Sequence, residues 1–223
     1  MKLIEYADRD MLAIDLANML AGELESCLFN HDHATLAVPG GSSPGPVFDA
    51  LSGVGLDWGR VHVLPTDERW VPESHERSNA RLIRQRLLTD KAAGGVLVPL
   101  YRDGLEPEAA LEQIGAALAP NLPLSILLLG MGPDMHTASL FPGAPGLAEA
   151  LAGKGGPVAL LRPESQPDVR VSLTAPVLDG ALSKHLLIFG QDKREALERA
   201  RSLPPEEAPI QAVLSEMTVH WAE

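Results

Sequence analysis

Apolar residues recur at helical spacing over residues 8–29, through Met11, Ile14, Leu16, Met19, Leu20, Leu24 and Leu28, which predicts an amphipathic helix. A short apolar run at 34–38 then reads as a buried strand and ends in Pro39-Gly40-Gly41-Ser42-Ser43-Pro44. A helix is expected from Pro44, because proline suits a first turn, where its missing N–H would have had no partner. The next strand, 60–64, runs into Pro65-Thr66-Asp67-Glu68-Arg69-Trp70-Val71-Pro72, and Ser78 is placed to cap a helix carrying Leu82, Ile83 and Leu87. A helix over 107–118 precedes a strongly apolar strand at 124–129.

The alternation continues to the C-terminus. Strands are predicted at 158–161, 169–173, 185–189 and 218–221, with helices over 192–201 and around 210–214. Strands alternating with helices indicate a largely parallel sheet covered on both faces. The expected fold is therefore one doubly wound α/β domain spanning residues 1–223, Rossmann-like in its three layers. The Pro/Gly-rich stretch 142–157 reads as a long surface connection.

Composition narrows the function. The chain has 223 residues, 45% hydrophobic and 22% charged, the balance of a globular protein. Lys and Arg total 18 against 30 Asp and Glu, a net charge of −12, so no basic face is available for nucleic acid. An anionic substrate would need a few locally focused basic groups to overcome that field. Cys27 is the only cysteine, which excludes an intrachain disulfide and thiolate clusters, and its helical flanks predict a buried apolar role. The first ten residues carry acids where a secretory signal needs an apolar core, and no run approaches the roughly 20 apolar residues of a membrane span. A cytoplasmic protein without membrane contact is expected.

Four polar clusters fall at predicted strand ends, where open parallel sheets bind ligands. Gly40, Gly41, Ser42 and Ser43 offer N–H groups and hydroxyls at a helix start, suited to an anion but equally to a plain turn. Asp67, Glu68 and Arg69 would ordinarily be a solvated turn; at a sheet edge, Arg69 could fork onto a phosphate or carboxylate and Asp67 could accept from sugar hydroxyls.

The third cluster is Gly130-Met131-Gly132-Pro133-Asp134-Met135-His136-Thr137-Ala138-Ser139-Leu140-Phe141-Pro142-Gly143. Its glycines permit a sharp turn near a ligand. His136 is expected at a helix start, where the dipole disfavours the imidazolium and suits a general base. Asp134 either orients the ring or favours its charged form, and a merely helix-capping Asp134 is the structural alternative. The fourth group is Arg170 and Lys193; Lys193 near a helix start suits an anionic partner, or is simply solvated. The other histidines have no zinc-ligand spacing.

In this order and spacing, Gly40-Gly41-Ser42-Ser43-Pro44, Asp67-Glu68-Arg69-Trp70-Val71-Pro72 with Ser78-Asn79, and residues 130–143 resemble the 6-phosphogluconolactonases over nearly the whole chain. Arg170 and Lys193 sit where that family has basic residues. The resemblance implies hydrolysis of 6-phospho-D-glucono-1,5-lactone in the oxidative pentose phosphate pathway. His136 would be the base, Asp134 its tuning group, and Arg69 with glycine-turn N–H groups the oxyanion donors. Gly40, Gly41, Ser42, Ser43, Gly132, Arg170 and Lys193 would bind the substrate, with Asp67 on its hydroxyls.

The family pattern has glycine where this chain has Met135; if that position needs φ > 0, methionine costs on the order of 1 kcal/mol. The related glucosamine-6-phosphate deaminases carry a glutamate five residues after the histidine, and this chain has Phe141 there, which transfers no proton. A non-catalytic sugar-phosphate sensor is the other alternative; it would need an attached partner module, and the chain is expected to open directly on its first helix. The expected partner is a small sugar-phosphate lactone, with no cofactor and no metal, acted on by a monomer or weak homo-oligomer.

Overall fold

The computed structural model describes residues 1–164 and 166–223. Strand β1 (Lys2–Glu5) leads into helix α1 (Arg9–Asn30), whose N-terminus is capped by the Asp8 carboxylate accepting from the Met11 N–H at 2.8 Å. Then come β2 (Ala34–Val38), α2 (Gly45–Ser52), β3 (Val61–Pro65), β4 (Asp67–Arg69), α3 (Asn79–Arg86), β5 (Val96–Leu97) and α4 (Pro107–Leu118). The second half holds β6 (Ile126–Gly130), α5 (Leu147–Ala152), β7 (Val158–Leu161), β8 (Arg170–Leu173), α6 (Ala175–Asp179), β9 (Ser183–Phe189), α7 (Gln191–Ala200) and β10 (Thr218–Ala222).

Seven strands form a parallel sheet in the order β1-β10-β9-β6-β2-β3-β5. Successive strand residues face opposite sides, and the chain uses both. Leu36, Val38, Ile126, Leu128 and Leu187 pack with α1, α2 and α3 on one side. Ala37, Leu127, Leu129, Leu186 and Ile188 pack on the other with α4, α5, α6 and α7. Continuous apolar runs in β2 and β6 are thus a consequence of two buried faces.

The expected three layers are present, but several local readings are corrected. β1 was not anticipated, so the chain opens on an edge strand and not on its first helix. Pro44 stands at the N-cap of α2, one position before the helix. The stretch 142–157 contains α5, with Leu147 and Ala150 buried, and 210–214 forms a 3-10 turn (Pro209–Val213). Cys27 is half-buried.

Two corrections shape the site. β7 and β8 do not join the main sheet: with β4, itself unexpected, they make a separate three-stranded antiparallel sheet in the order β4-β8-β7. No helix starts at His136, because Met135 (φ 66°) and Ala138 (φ 48°) are left-handed and cannot propagate one.

Candidate active site

The strand order reverses direction between β2 and β6, which lie side by side. A crevice opens beyond the carboxyl ends of strands at such a point. Here it is a cleft of about 400 Å³ between the glycine turns that follow β2 and β6, the face of the small sheet and the start of α7. Gly40, Gly41, Ser42, Ser43, Asp67, Arg69, Gly132, His136, Arg170 and Lys193 all line it. Asp134 does not, and reaches the cleft only through His136.

The turn after β6 is fixed by its own backbone. The Gly132 N–H donates to His136 O at 2.9 Å, the Met135 N–H to Gly132 O at 3.0 Å, and the Thr137 hydroxyl to Gly130 O at 2.8 Å. The Ile210 N–H, from the far end of the chain, donates to Met135 O at 3.1 Å. A Cβ on Gly132 would lie 2.2 Å from the His136 ring, so only glycine lets the imidazole fold over this strand exit.

His136 Nδ1 lies 2.5 Å from Asp134 Oδ1, which also accepts from the His136 N–H at 3.3 Å. An ionised Asp134 requires the proton on Nδ1 and leaves the lone pair on Nε2. No helix dipole acts on this ring, so its tautomer rests on Asp134. Gly41-Ser42-Ser43-Pro44-Gly45 has the letters of a nucleophile elbow, but the His136 ring bonds Asp134 and, among the described residues, no serine hydroxyl. The ring also stacks on Phe141, with centroids 4.2 Å apart and planes at 27°.

The small sheet supplies the charge. β4 and β8 pair antiparallel with Arg69 directly opposite Arg170, an arrangement in which like charges repel. Burial, and then the Arg69 charge, weaken proton binding at the Arg170 guanidinium, against the pull of Asp67, Asp168 and Glu68. The Nε atoms of both arginines are buried without a partner among the described residues. A bound anion would answer both the repulsion and the unmet donors. Lys193, half-buried in the first turn of α7, has its pKa lowered by burial.

Several supporting residues were not readable from sequence. Asp67 is buried, its Oδ2 accepts from Ser139 Oγ at 2.5 Å and lies 3.7 Å from Arg170 Nη1, and Arg170 Nη2 donates to Gln166 at 2.9 Å. Asn79 donates to Asp67 O at 2.7 Å and lies so close to Gly40 that a Cβ there would be 2.0 Å from Asn79 Oδ1.

Glu68 is fully buried and accepts from the N–H groups of Arg69, Asn79 and Ala80 and the Ser78 hydroxyl. Burial raises its pKa against those bonds. These charges therefore do not form the ordinary solvated turn; Glu68 is a carboxylate clamp between β4 and α3. Ser78 caps α3 as predicted, accepting from the Arg81 N–H at 3.2 Å. No cluster of three metal-ligating side chains occurs among the described residues, and no helix is long and apolar enough to cross a membrane.

Residues 7–221 match the family described as glucosamine-6-phosphate isomerases/6-phosphogluconolactonase. A 6-phosphogluconolactonase of Pseudomonas aeruginosa is 42% identical over 92% of this chain and 88% of its own. One of Mesorhizobium japonicum is 39% identical over 97% and 93%. The crystal structure of a 6-phosphogluconolactonase from Shewanella baltica superposes with a TM-score of 0.95 at 28% identity, covering 100% of this chain and 98% of that one. A monomeric glucosamine-6-phosphate deaminase shares the fold, with a TM-score of 0.79 at 17% identity over 100% and 98%. The chain belongs to the glucosamine-6-phosphate isomerase/6-phosphogluconolactonase family.

Proposed function

We propose that this protein hydrolyses 6-phospho-D-glucono-1,5-lactone to 6-phospho-D-gluconate, the lactone-opening step of the oxidative pentose phosphate pathway. The observation that carries the reading is His136: its Nδ1 is held by Asp134 in a cleft whose facing wall carries two opposed arginines. Family membership supplies the substrate class.

In the reaction, His136 Nε2 takes a proton from water as the water oxygen attacks the lactone carbonyl carbon. Negative charge moves to the carbonyl oxygen, where Arg69 and N–H groups of the Gly132 turn stabilise it. The tetrahedral intermediate collapses, the ring C–O bond breaks, and the imidazolium returns its proton to the leaving ring oxygen. Gly40, Gly41, Ser42, Ser43, Arg170 and Lys193 hold the phosphate, and Asp67 accepts from a ring hydroxyl. Each step needs only these side chains and water.

Deaminase chemistry needs a further proton carrier at the His136 wall, and Phe141 stacks there instead. The protein is read as a cytoplasmic monomer or weak homo-oligomer in one domain, with no affinity for nucleic acid given its net charge of −12. The test is a coupled assay following removal of freshly generated lactone, with ammonia release from glucosamine 6-phosphate as control. Lactone removal without ammonia is expected. Ammonia release, or binding of the phosphorylated sugar without turnover, would refute the proposal.

A further inference from the structure

Asp134 fixes only one point of the His136 ring. A single hydrogen bond at Nδ1 leaves the imidazole free to swing about that contact, carrying Nε2 out of line with the cleft. Two surfaces stop the swing. One is the bare Cα of Gly132, where even a Cβ would come within 2.2 Å of the ring. The other is the Phe141 ring, stacked on the imidazole with centroids 4.2 Å apart and planes inclined by 27°. Phe141 is itself buried, and its carbonyl accepts from the Ala144 N–H at 3.1 Å, so this wall is anchored independently of the histidine.

We infer that Phe141 is a positioning residue for the base: its flat face sets the plane of the His136 imidazole and thereby aims Nε2 at the attacking water. The inference rests on the reading of His136 as that base. Arg170 also lies over the Phe141 ring, but its guanidinium carbon is 6.0 Å from the centroid, at the outer reach of a cation–π contact. The imidazole contact is much the closer, so Phe141 governs the chemical step more than it governs anion binding. A flat face is what the role requires; an apolar side chain of similar bulk without one fills the space and leaves the ring plane loose.

The test compares Phe141→Leu with Phe141→Tyr in the full chain, by steady-state kinetics on the phosphorylated lactone and by NMR of the His136 ring protons in the free protein. In Phe141→Leu, kcat should fall roughly ten- to hundredfold, the scale of a reacting group held slightly out of place, with KM changing far less. The His136 ring protons should lose the ring-current shift that a stacked phenyl imposes. Phe141→Tyr should keep that shift and retain most of kcat.

Wild-type kcat in Phe141→Leu would overturn the inference, as would a loss of kcat with the ring-proton shifts unmoved. Equal damage in both variants at unchanged melting temperature would also overturn it. Absence of lactonase turnover in the wild-type protein is a separate failure, that of the functional reading, and would be visible before any variant is made.

Discussion

Two histidine–carboxylate pairs in this molecule differ in what their second ring nitrogen meets. In the cleft, His136 gives Nδ1 to Asp134 and presents its other edge to a cavity. In the core, His185 Nε2 meets Glu23 at 3.0 Å and Ser183 Oγ at 3.1 Å, while its Nδ1 meets His220 Nε2 at 3.0 Å. His220 Nδ1 in turn meets the Tyr6 hydroxyl at 2.9 Å.

With Glu23 ionised and both core rings neutral, every donor in that chain finds one acceptor, from Tyr6 through His220 and His185 to Glu23. Burial, and then the neighbouring His185, push His220 down to about 3. Burial alone would raise the Glu23 carboxyl, but hydrogen bonds from His185 and Ser183 help to hold it below its usual range. A histidine beside an acid is therefore no sign of catalysis by itself. What distinguishes His136, the proposed base, is a nitrogen left open to a cavity.

The comparison can be broken most sharply at His136. Replacing it with Gln should lower kcat by about 10²–10⁴-fold, with the melting temperature unmoved, because this edge of the ring supports nothing in the core. A variant with near-wild-type turnover removes His136 from the reaction. His220→Ala should do the reverse, costing about 1–3 kcal/mol of stability by stranding Tyr6 and His185, with kcat on the phosphorylated lactone within a few-fold of wild type.

The same contrast has a pH signature. The pKa of His220 falls from 6.5 in the unfolded chain to about 3 in the fold, so the unfolded state binds more protons across that window. Stability from this group is complete above the unfolded value and is lost as pH falls towards 3, at up to about 1.4 kcal/mol per pH unit. Glu23, also lowered, adds to the loss at the acid end. Denaturant melts of His220→Gln should show a flatter acid limb than wild type; an unchanged limb would mean His220 is not the group responsible.

Smaller effects sharpen the cleft side. Lys193→Ala should raise KM for the phosphorylated lactone roughly tenfold, the loss of one charge-assisted contact, and leave KM for unphosphorylated gluconolactone nearly unchanged. Equal changes for both would take Lys193 off the phosphate. The smallest expected effect is Met135→Gly. It should stabilise the protein by up to about 1 kcal/mol, the left-handed penalty less glycine's entropy loss, and thermal melts would read it directly. A loss of stability would show that the methionine side chain's packing outweighs its backbone strain.

Most of the layered fold was legible because both faces of the sheet are apolar and the strands announce themselves as continuous runs. β1 escaped notice as a four-residue edge strand, half-exposed along its length. β4 escaped because Asp67-Glu68-Arg69 looks like a solvated turn, and only the tertiary structure reveals that the N–H groups opening α3 supply hydrogen bonds to the buried Glu68 carboxylate. The cleft residues could be named from their places at strand ends. Their partners could not: Ser139 reaching Asp67, or Gln166 reaching Arg170, depends on how a second sheet folds over the first. The helix predicted at His136 failed for a subtler reason, since the left-handed turns fall on Met135 and Ala138, residues that do not advertise such a conformation.

The pairing of β4 with β8 also makes the cleft a caliper. His136 sits in the short, hydrogen-bonded turn that leaves the main sheet and the arginines on strands of the small one, so the distance between the proposed base and the charge depends on how the two sheets sit and on that one turn. A one-residue slip of β8 against β4 would turn Arg170 to the opposite face. A two-residue slip would keep the face and move the guanidinium by about 6.7 Å. The span a substrate must bridge therefore changes in steps of a strand repeat. Lineages that inherit this architecture would find it easier to alter what lies between the two jaws than to alter how far apart they stand.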